Sequence, residues 1–495
     1  MRFHRSLRGT LTAVLAVCLS VALARAEMAK NVILLISDGQ GFNTIKATNM
    51  WSGGPAIYES FPYRFGVSTF AYTRDTPDPA KAAPLQGYDP ARAWTSYEYL
   101  RTNPTDSGAA GTAMATGQKT YKTSLNYDLT GSKKLTTITE MAHSLGKATG
   151  VVSTVQWSHA TPAAFGAHNL SRNNYAAIAQ EMLDGSPTLQ LKVIMGAGNP
   201  DYDDNGRPAA KDPKYVGGAD YWSRLKAGTL NGWTLIQDER DFQALADGTY
   251  KGGNLLDKVV GTFKAYTTGQ QARSYPAGTD PTNPSTVKFN RGMPSLATMT
   301  RGALNVLGKD PDGLFLLVEG GAVDWASHAN QLGRMIEEQR DFNAAVQAVV
   351  EWVNANSNWK ETLVLVTTDH ECGLLWGPKG DFSPLVDRGP QKLPGARYNS
   401  KNHTNSLVPL YALGAGAERL SYLADQFDPQ LQTFFGDMGF DGRYLDNTEV
   451  FQVMAAGPMP KIRSLAVGFR QLSTLLREPR GPGWGWLHLS GRRGS

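Results

Sequence analysis

Short apolar runs recur along the chain, and glycine or a polar residue follows each of them. The runs are rich in β-branched residues and too short to be helices, so they favour strands that are buried on both faces. Such runs lie at residues 31–37, 150–155, 191–195, 314–318, 362–368 and 407–413. A chain with this pattern must bury a large sheet.

Helical patterns separate these runs, at residues 135–145, 175–183 and 336–353. Strands that alternate with helices predict an α/β fold, a three-layer sandwich with a largely parallel central sheet flanked by helices. Ligands of such sheets bind beyond the carboxyl ends of the strands. We therefore expect the polar residues that follow the runs to converge at one edge of the sheet.

The run at 314–318 leads into an informative polar stretch. Glu319 ends the run, two glycines then allow a sharp turn, and helix-forming residues follow. Asp324 and His328 are four residues apart on one face of that helix, where a carboxylate and an imidazole could hold a divalent cation. Taken alone, a surface ion pair explains this spacing equally well.

A second stretch, residues 105–117, contains Asp106 and Ser107 followed by very small residues. This composition suits a helix N-terminus that packs closely against other backbone. Ser107 would then lie where free N–H groups and the helix dipole favour an anion. By itself, an ordinary N-cap serine on a packing helix is the simpler interpretation.

Several further polar motifs complete the set. They are Asp38-Gly39, His159-Ala-Thr161-Pro162, Ser171-Arg172, Asp369-His370 and His403-Thr404. Together with the two stretches above, these motifs resemble the alkaline phosphatase family in order and in residue type. The resemblance extends from residue 31 to about residue 450, and residues 444–450 resemble the closing segment of that family.

The resemblance implies two zinc ions and one magnesium ion. The implied ligands are Asp324, His328 and His403 for one zinc; Asp38, Asp369 and His370 for the other; and Asp38, Thr161 and Glu319 for magnesium. These residue types match the donors that the ions prefer, nitrogen and oxygen for zinc and oxygen alone for magnesium. Three of the eight histidines in the chain fall on the implied zinc positions.

The resemblance also implies the hydrolysis of phosphate monoesters, with release of inorganic phosphate. Ser107 would form a phosphoserine intermediate, and Arg172 would bind two phosphate oxygens. A homodimer is implied as well. One alternative is a phosphodiesterase or sulfatase relative on the same metal core, but such relatives generally lack the third site that Thr161 and Glu319 would form. Another is a non-catalytic phosphate- or metal-binding protein.

Three positions near the implied site need separate interpretation. Trp325 stands where other family members carry Lys or His near the phosphate, so it either changes phosphate binding or simply packs over the site. His159 stands where some members carry Asp, which leaves the third metal open; both residues are substrate-binding candidates. Cys372 could be a soft metal donor, but we interpret it as a small buried residue.

An acidic loop offers a weaker metal hypothesis. Asp201, Asp203 and Asn205, with Asp212 at the twelfth position, fit the ligand spacing of a Ca²⁺ loop. Pro208 and the lack of clear flanking helices argue against an EF-hand. We prefer an exposed turn, because Asp, Asn and Gly favour turns in any case.

The N-terminal residues 1–26 have the pattern of a secretory signal peptide. Three arginines precede an apolar stretch, and Ala24-Arg25-Ala26 fits the small-x-small cleavage rule. The apolar stretch is shorter than the roughly 20 residues that a membrane span needs. The sequence therefore predicts export, with the protein either periplasmic or secreted.

The remaining chain is predicted to form a catalytic domain at residues 27–460, followed by a C-terminal helix and basic tail at 461–495. Two segments interrupt the alternation of strands and helices and are interpreted as insertions, near 196–290 and 375–402. Within the first insertion, helical patches are predicted at residues 238–245 and 255–263.

Charge and cysteine content exclude several other classes of protein. The net charge of +5 is small for 495 residues, and much of the excess lies in the termini, so no nucleic-acid partner is expected. Cys18 falls within the predicted signal peptide, which leaves Cys372 alone in the mature chain. No intrachain disulfide is then possible, and packing and bound metals must stabilise the fold.

Overall fold

A large sheet forms the centre of the fold. The computed structural model describes residues 28–72, 87–253, 256–275 and 287–457. The predicted signal peptide and the predicted C-terminal helix and tail fall outside these residues and remain predictions. The strands are β1 (Asn31–Ser37), β2 (Tyr63–Ser68), β3 (Ala148–Gln156), β4 (Val193–Ala197), β5 (Thr234–Ile236), β6 (Val259–Thr262), β7 (Leu314–Gly320), β8 (Thr362–Thr367), β9 (Glu371–Cys372), β10 (Leu375–Trp376), β11 (Arg397–Tyr398), β12 (His403–Thr404), β13 (Val408–Gly414), β14 (Gln426–Phe427) and β15 (Arg443–Asp446).

Eleven of these strands form the central sheet, in the order β14-β15-β2-β13-β8-β1-β7-β3-β4-β6-β5. The strands from β8 to β5 all run in the same direction. Strand β13 is antiparallel to both of its neighbours, and β14 is antiparallel to β15. The predicted α/β fold with a largely parallel sheet is confirmed.

Helices cover the sheet on both sides. The helices are α1 (Phe42–Ser52), α2 (Pro90–Ala93), α3 (Tyr97–Arg101), α4 (Ser107–Thr116), α5 (Ile138–Ser144), α6 (Ala160–Ala164), α7 (Tyr175–Asp184), α8 (Ala219–Ala227), α9 (Glu239–Ala246), α10 (Leu296–Leu307), α11 (Ala322–His328), α12 (Leu332–Asn356), α13 (Leu420–Leu423), α14 (Pro429–Phe435) and α15 (Asn447–Ala456). Among the residues that the structure describes, no helix is both long enough and apolar enough to cross a membrane.

The side chains of β1 show why the sheet has two cores. Ile33 and Leu35 pack into one apolar cluster together with residues of α10 and α12. Val32, Leu34 and Ile36 pack into a second cluster together with residues of α7. Successive side chains of a strand point to opposite faces, so a fully apolar strand must be covered on both sides. The result is the predicted three-layer sandwich.

The segment near 196–290 extends the sheet as well as carrying helices. The helical patch predicted at 238–245 corresponds to α9, but the patch predicted at 255–263 is wrong. Residues Val259–Thr262 form β6, which is buried and pairs with β4 and β5. Two valines and a threonine favour a strand, and pairing with a strand on each side outweighs the weak helical periodicity of this segment.

The acidic loop that could have held Ca²⁺ forms a turn instead. Asp203 accepts hydrogen bonds from the backbone N–H groups of Asn205 and Arg207, both at 2.9 Å. Asp201 accepts hydrogen bonds from the side chains of Trp222 and Lys226, both at 3.0 Å. One oxygen of each of these carboxylates is thus bonded to local donors, as expected for the exposed turn that the sequence analysis preferred.

His168 links two helices of the same face through a buried ion pair. Its Nε2 lies 3.4 Å from Glu140 Oε2 in α5, and its Nδ1 lies 3.5 Å from Glu181 Oε1 in α7. Burial alone would lower the pKa of this imidazole, but its bonds to the two carboxylates raise the pKa to about 9. The imidazolium therefore stabilises the folded state at neutral pH.

Replacing His168 should change how the stability of the protein depends on pH. The folded pKa of about 9 exceeds the ordinary 6.5, so this contribution is complete below pH 6.5 and is lost as the pH rises through 9. In urea titrations we expect the wild type to lose about 2–3 kcal/mol more than His168→Gln over that window. Equal losses in the two proteins would contradict the ion pair.

Candidate active site

Three acidic residues meet at the carboxyl ends of adjacent strands. Asp38 directly follows β1, Glu319 is the penultimate residue of β7, and Asp369 lies two residues beyond the end of β8. Since β1 lies between β8 and β7, the three side chains occupy neighbouring positions at one edge of the sheet. Each is at most 1% exposed. Parallel strands thus place several buried carboxylates close together.

A tight turn after β1 brings a fourth acid into this group. Gly39 has φ +77°, and a Cβ there would lie 2.7 Å from Cα of Asp324. A larger residue would therefore push α11 away from the sheet edge. The N–H group of Gly39 also donates to Asp369 Oδ1 at 3.3 Å. The Asp38-Gly39 motif thus has a steric role as well as supplying a carboxylate.

The first implied zinc set is gathered by α11 and β12. His328 Nε2 lies 3.3 Å from Asp324 Oδ2, and His403 Nε2 lies 3.5 Å from Asp324 Oδ1. The Nδ1 atoms of the two rings face the backbone carbonyl groups of Lys401 and Thr105 at 2.5 and 2.9 Å. Carbonyl partners of this kind fix a ring so that its other nitrogen can bind a metal.

The second implied zinc set surrounds the hydroxyl group of Ser107. His370 Nε2 lies 3.1 Å from Asp369 Oδ2 and 3.3 Å from Ser107 Oγ. Ser107 Oγ also donates to Asp38 Oδ2 at 3.5 Å. The serine is the first residue of α4 and is only 2% exposed. Its hydroxyl group therefore lies among metal-binding residue types at a helix N-terminus.

The implied magnesium set lies on the other side of Asp38. The hydroxyl group of Ser153 in β3 donates to Glu319 Oε2, and the hydroxyl group of Thr161 in α6 lies beside the same carboxylate. Burial raises the pKa of Glu319 to about 7 despite these two neighbouring hydroxyl groups. Burial and the nearby carboxylates of Asp369, Asp324 and Glu319 likewise raise the pKa of Asp38 well above its ordinary value.

Many polar atoms of this region have no hydrogen-bond partner among the described residues. They are Asp38 Oδ1, Thr161 Oγ1, Glu319 Oε1, Asp324 Oδ1 and Asp369 Oδ2, all of them buried. Burying an unpaired carboxylate oxygen is costly unless it binds a cation. The donors also suit the implied ions, since imidazole with carboxylate favours zinc and oxygen alone favours magnesium. The residues present therefore fit divalent cations.

Arg172 is held beside this cluster by two partners. Its Nη1 donates to Asp106 Oδ2 at 3.0 Å, and its Nη2 lies 3.2 Å from His159 Nε2. Burial and the adjacent guanidinium lower the pKa of His159 to about 3, so the ring is neutral and can accept from Arg172. The Trp325 ring lies edge-on to His159, with ring centroids 5.6 Å apart.

The sequence analysis assigned no functional role to three side chains that contribute contacts in this region. Asp106 caps α4 and bonds Arg172, while Ser153 bonds Glu319. Glu371 accepts from Thr404, which ties β9 to β12 and so ties His370 to His403. Asp106 belonged to the recognised motif with Ser107, but the sequence analysis gave its side chain no role. Ser153 lies inside an apolar run, and no local pattern marks it or Glu371 as part of the site.

Comparisons with known proteins agree with this arrangement. A sequence profile of the alkaline phosphatase family, described as "Alkaline phosphatase", matches residues 29–420. The chain belongs to the alkaline phosphatase family. It is 32% identical over 348 residues to alkaline phosphatase 3 of Bacillus subtilis, covering 70% of this chain but only 61% of that protein. It is 30% identical over 460 residues to the alkaline phosphatase of Escherichia coli, covering 86% of this chain and 88% of that one.

Solved structures support the fold. The alkaline phosphatase of the Antarctic bacterium TAB5 superposes with a TM-score of 0.56 at 23% identity, covering 86% of this chain and 97% of that one. The alkaline phosphatase of Thermus thermophilus superposes with a TM-score of 0.59 at 18% identity, covering 88% and 92%. At these identities the likeness establishes the fold, and the roles of individual residues have to be argued from their chemistry.

Removing metals should make the stability of this family member depend on pH in a defined direction. Without cations, burial holds the pKa of Glu319 near 7 instead of the ordinary 4.5. The folded carboxyl then binds a proton that the unfolded chain releases, so stability falls as the pH rises from 4.5 through 7. We expect chelated protein to show this fall in thermal melts, and added Zn²⁺ and Mg²⁺ to reverse it.

Glu319→Gln provides the control for this measurement. The amide does not titrate, so the chelated variant should lose less stability over the same pH interval than the chelated wild type. An equal change in stability in the chelated variant and the chelated wild type over this interval would contradict the raised pKa of the buried Glu319 carboxyl.

Proposed function

We propose that this protein hydrolyses phosphate monoesters through a phosphoserine intermediate on Ser107. One observation carries the proposal: Ser107 Oγ lies 3.3 Å from His370 Nε2 and 3.5 Å from Asp38 Oδ2, at the start of a helix. A lone serine hydroxyl is a weak nucleophile and needs activation by a base or a metal ion. The groups around Ser107 are suited to holding such an ion.

The proposed metal ligands follow the three sets described above. Asp324, His328 and His403 would hold one zinc ion, and Asp38, Asp369 and His370 the other. Asp38, Thr161 and Glu319 would hold magnesium; a variant of the TAB5 enzyme has been solved with Mg²⁺ bound. When bound, such ions lower the pKa of a hydroxyl nucleophile and stabilise charge on the departing oxygen.

The two zinc sets differ in their access to solvent. The side chains of His328 and His403 are 36% and 16% exposed, whereas those of Asp369 and His370 are fully buried. We infer that the alcohol portion of the substrate leaves on the side of His328 and His403. The phosphoryl group would face the buried side, next to Ser107.

Arg172 would orient the phosphoryl group for attack by Ser107 Oγ. Asp106 holds the guanidinium at Nη1, and the neutral His159 accepts from Nη2. Asp106 also accepts from the N–H groups of Gly108 and Ala109, so it connects the phosphate-binding arginine to the helix that carries the nucleophile. A planar guanidinium can bind two phosphate oxygens at once.

The reaction then proceeds in two displacements. The Ser107 hydroxyl group loses its proton to solvent as its oxygen forms a bond to phosphorus, while the bond from phosphorus to the alcohol oxygen breaks and that oxygen takes a proton from water. Water next attacks the phosphorus of the phosphoserine, the bond from phosphorus to Ser107 Oγ breaks, and inorganic phosphate leaves while the serine oxygen regains a proton. Positioning by Arg172 and charge stabilisation at the site account for most of the catalysis in phosphoryl transfer of this kind.

Substrate assays with and without a chelator test the proposal directly. We expect a chromogenic phosphate monoester to be hydrolysed far faster than the matched diester or sulfate ester, and chelation to abolish the activity until Zn²⁺ and Mg²⁺ are restored. Preference for the diester or the sulfate ester would instead favour the related activities on the same metal core. Phosphate binding without turnover of any of these esters would favour a non-catalytic role.

The Ser107→Ala variant separates the nucleophile from the metal sites. It should lower kcat at least roughly a thousand-fold, because no phosphoserine can form. Its Zn²⁺ and Mg²⁺ content, measured by atomic emission, should match that of the wild type. Retained activity in this variant would place the nucleophile elsewhere.

The Arg172→Lys variant tests phosphate binding. Lysine keeps the positive charge but cannot bond Asp106 and two phosphate oxygens together. We expect inhibition by inorganic phosphate to weaken about 10- to 100-fold, equivalent to about 1.4–2.7 kcal/mol, with unchanged metal content. An unchanged inhibition constant would contradict the assigned role.

Location and assembly are proposed on other grounds. The N-terminal segment 1–26 supports action outside the cytoplasm, in the periplasm or after release. A homodimer is proposed from the family resemblance alone.

A further inference from the structure

Cys372 occupies a position that its sequence context did not predict. It lies in β9, directly opposite His403 in the two-stranded ladder formed with β12. Residues directly opposite in such a ladder project from the same face, with Cβ atoms about 4.5–5.5 Å apart. The thiol of Cys372 therefore lies on the same side as the imidazole of His403, one of the proposed zinc ligands.

The distances extend this relation to the whole of the first zinc set. One ligand atom each from Asp324, His328, His403 and the Cys372 thiol lie within 4.8 Å of one another. Four donors bound tetrahedrally to one ion at 2.0–2.3 Å are separated by about 3.3–3.8 Å, so only small shifts are needed. Cys372 is 1% exposed and is buried within this group.

A second observation indicates that this group binds a cation. Asp324 Oδ1 is buried and has no hydrogen-bond partner among the described residues. It lies 3.5 Å from His403 Nε2, toward the same space. An unpartnered buried carboxylate oxygen beside two imidazoles and a thiol is better suited to a soft or borderline metal ion than to a hydrogen-bond network.

We propose that Cys372 is a fourth ligand of this metal site, giving it two nitrogen donors, one oxygen donor and one sulfur donor. The inference rests on the proposed metal site at Asp324, His328 and His403. Coordination replaces the thiol proton, which leaves to solvent, and the sulfur binds as thiolate. Zinc can expand from four ligands to five, so a fourth protein donor does not close the site to substrate.

This donor set has a consequence for metal selectivity. Thiolate favours soft ions over hard ones, so the site should bind the soft ion Cd²⁺ more tightly than a site with nitrogen and oxygen donors alone. The alternative is that the thiol only donates a hydrogen bond to Asp324. Serine in place of Cys372 could keep that hydrogen bond but would not supply sulfur.

Cobalt spectroscopy distinguishes these roles without using enzymatic activity. We expect metal-free protein titrated with Co²⁺ to show the visible bands of a tetrahedral site together with a near-ultraviolet sulfur-to-cobalt charge-transfer band. Cys18→Ser is the matched control for protein that retains residues 1–26 and should keep both features, as should the mature wild type, because Cys18 and Cys372 are the only cysteines. Cys372→Ser should lose the charge-transfer band and keep the visible bands, and its Cd²⁺ affinity should fall at least about tenfold.

Each outcome has a defined meaning. Visible bands without a charge-transfer band in the Cys18→Ser protein would overturn the sulfur ligand while leaving the proposed function intact. A charge-transfer band that persists in Cys372→Ser would overturn it as well. Loss of all tight Co²⁺ binding in the wild type would contradict the metal site itself. If Cys372→Ser fails to fold, the band in Cys18→Ser still assigns the sulfur, because no other thiol remains.

Discussion

The burial of negative charge at the ends of β8, β1 and β7 is the constraint on which the rest of the site depends. Asp38, Glu319 and Asp369 are side by side at a sheet edge that excludes water. Burial and mutual repulsion raise the pKa of each carboxyl group. Ionised carboxylates in such a place are stable only beside compensating positive charge. The proposed divalent cations would supply that charge and also the chemistry that the proposed serine nucleophile requires.

The surrounding elements can be understood as supports for this cluster. The glycine turn after β1 admits α11, which brings Asp324 against the sheet edge. The small ladder between β9 and β12 ties the residues after β8 to His403, and Glu371 reinforces it by accepting from Thr404. Asp106 joins Arg172 to the start of α4. The proposed nucleophile, the proposed phosphate-binding arginine and the proposed metal ligands are therefore mechanically connected.

The position of Cys372 would add a sulfur donor to one of the two proposed zinc sites. The set around Asp324 is the more exposed of the two, and it combines hard and soft donors if the thiol binds. A sulfur ligand would affect which ion occupies the solvent-facing site, while the buried set around Asp369 would keep nitrogen and oxygen donors only. The two proposed zinc sites would then differ in selectivity as well as in access.

Much of the fold and of the candidate site could be predicted from the sequence. The apolar runs determine the strands because a segment without polar side chains must be buried on both faces. The polar residues after those runs then converge because parallel strands end at the same edge. That reasoning identified Asp38, Glu319 and Asp369, and the composition of residues 105–117 marked Ser107. The family resemblance added Arg172 and the proposed role of Ser107. The type of one element was predicted wrongly: the segment that forms β6 was predicted to be helical, because a local sequence pattern does not show which strands a segment pairs with.

Only the tertiary structure decided which groups touch. The role of Ser153 depends on the register between β3 and β7, and the role of Glu371 depends on a ladder between segments about thirty residues apart. The placement of the Cys372 thiol opposite His403 is likewise a matter of register, whereas the sequence left Cys372 open as a soft metal donor and favoured a small buried residue. The sequence of a segment shows which side chains it carries, but long-range strand pairing determines which of these side chains lie close together. The sequence by itself therefore determined the layers of the sandwich and the types of residue available at the site. The tertiary structure determined which of these residues contact one another.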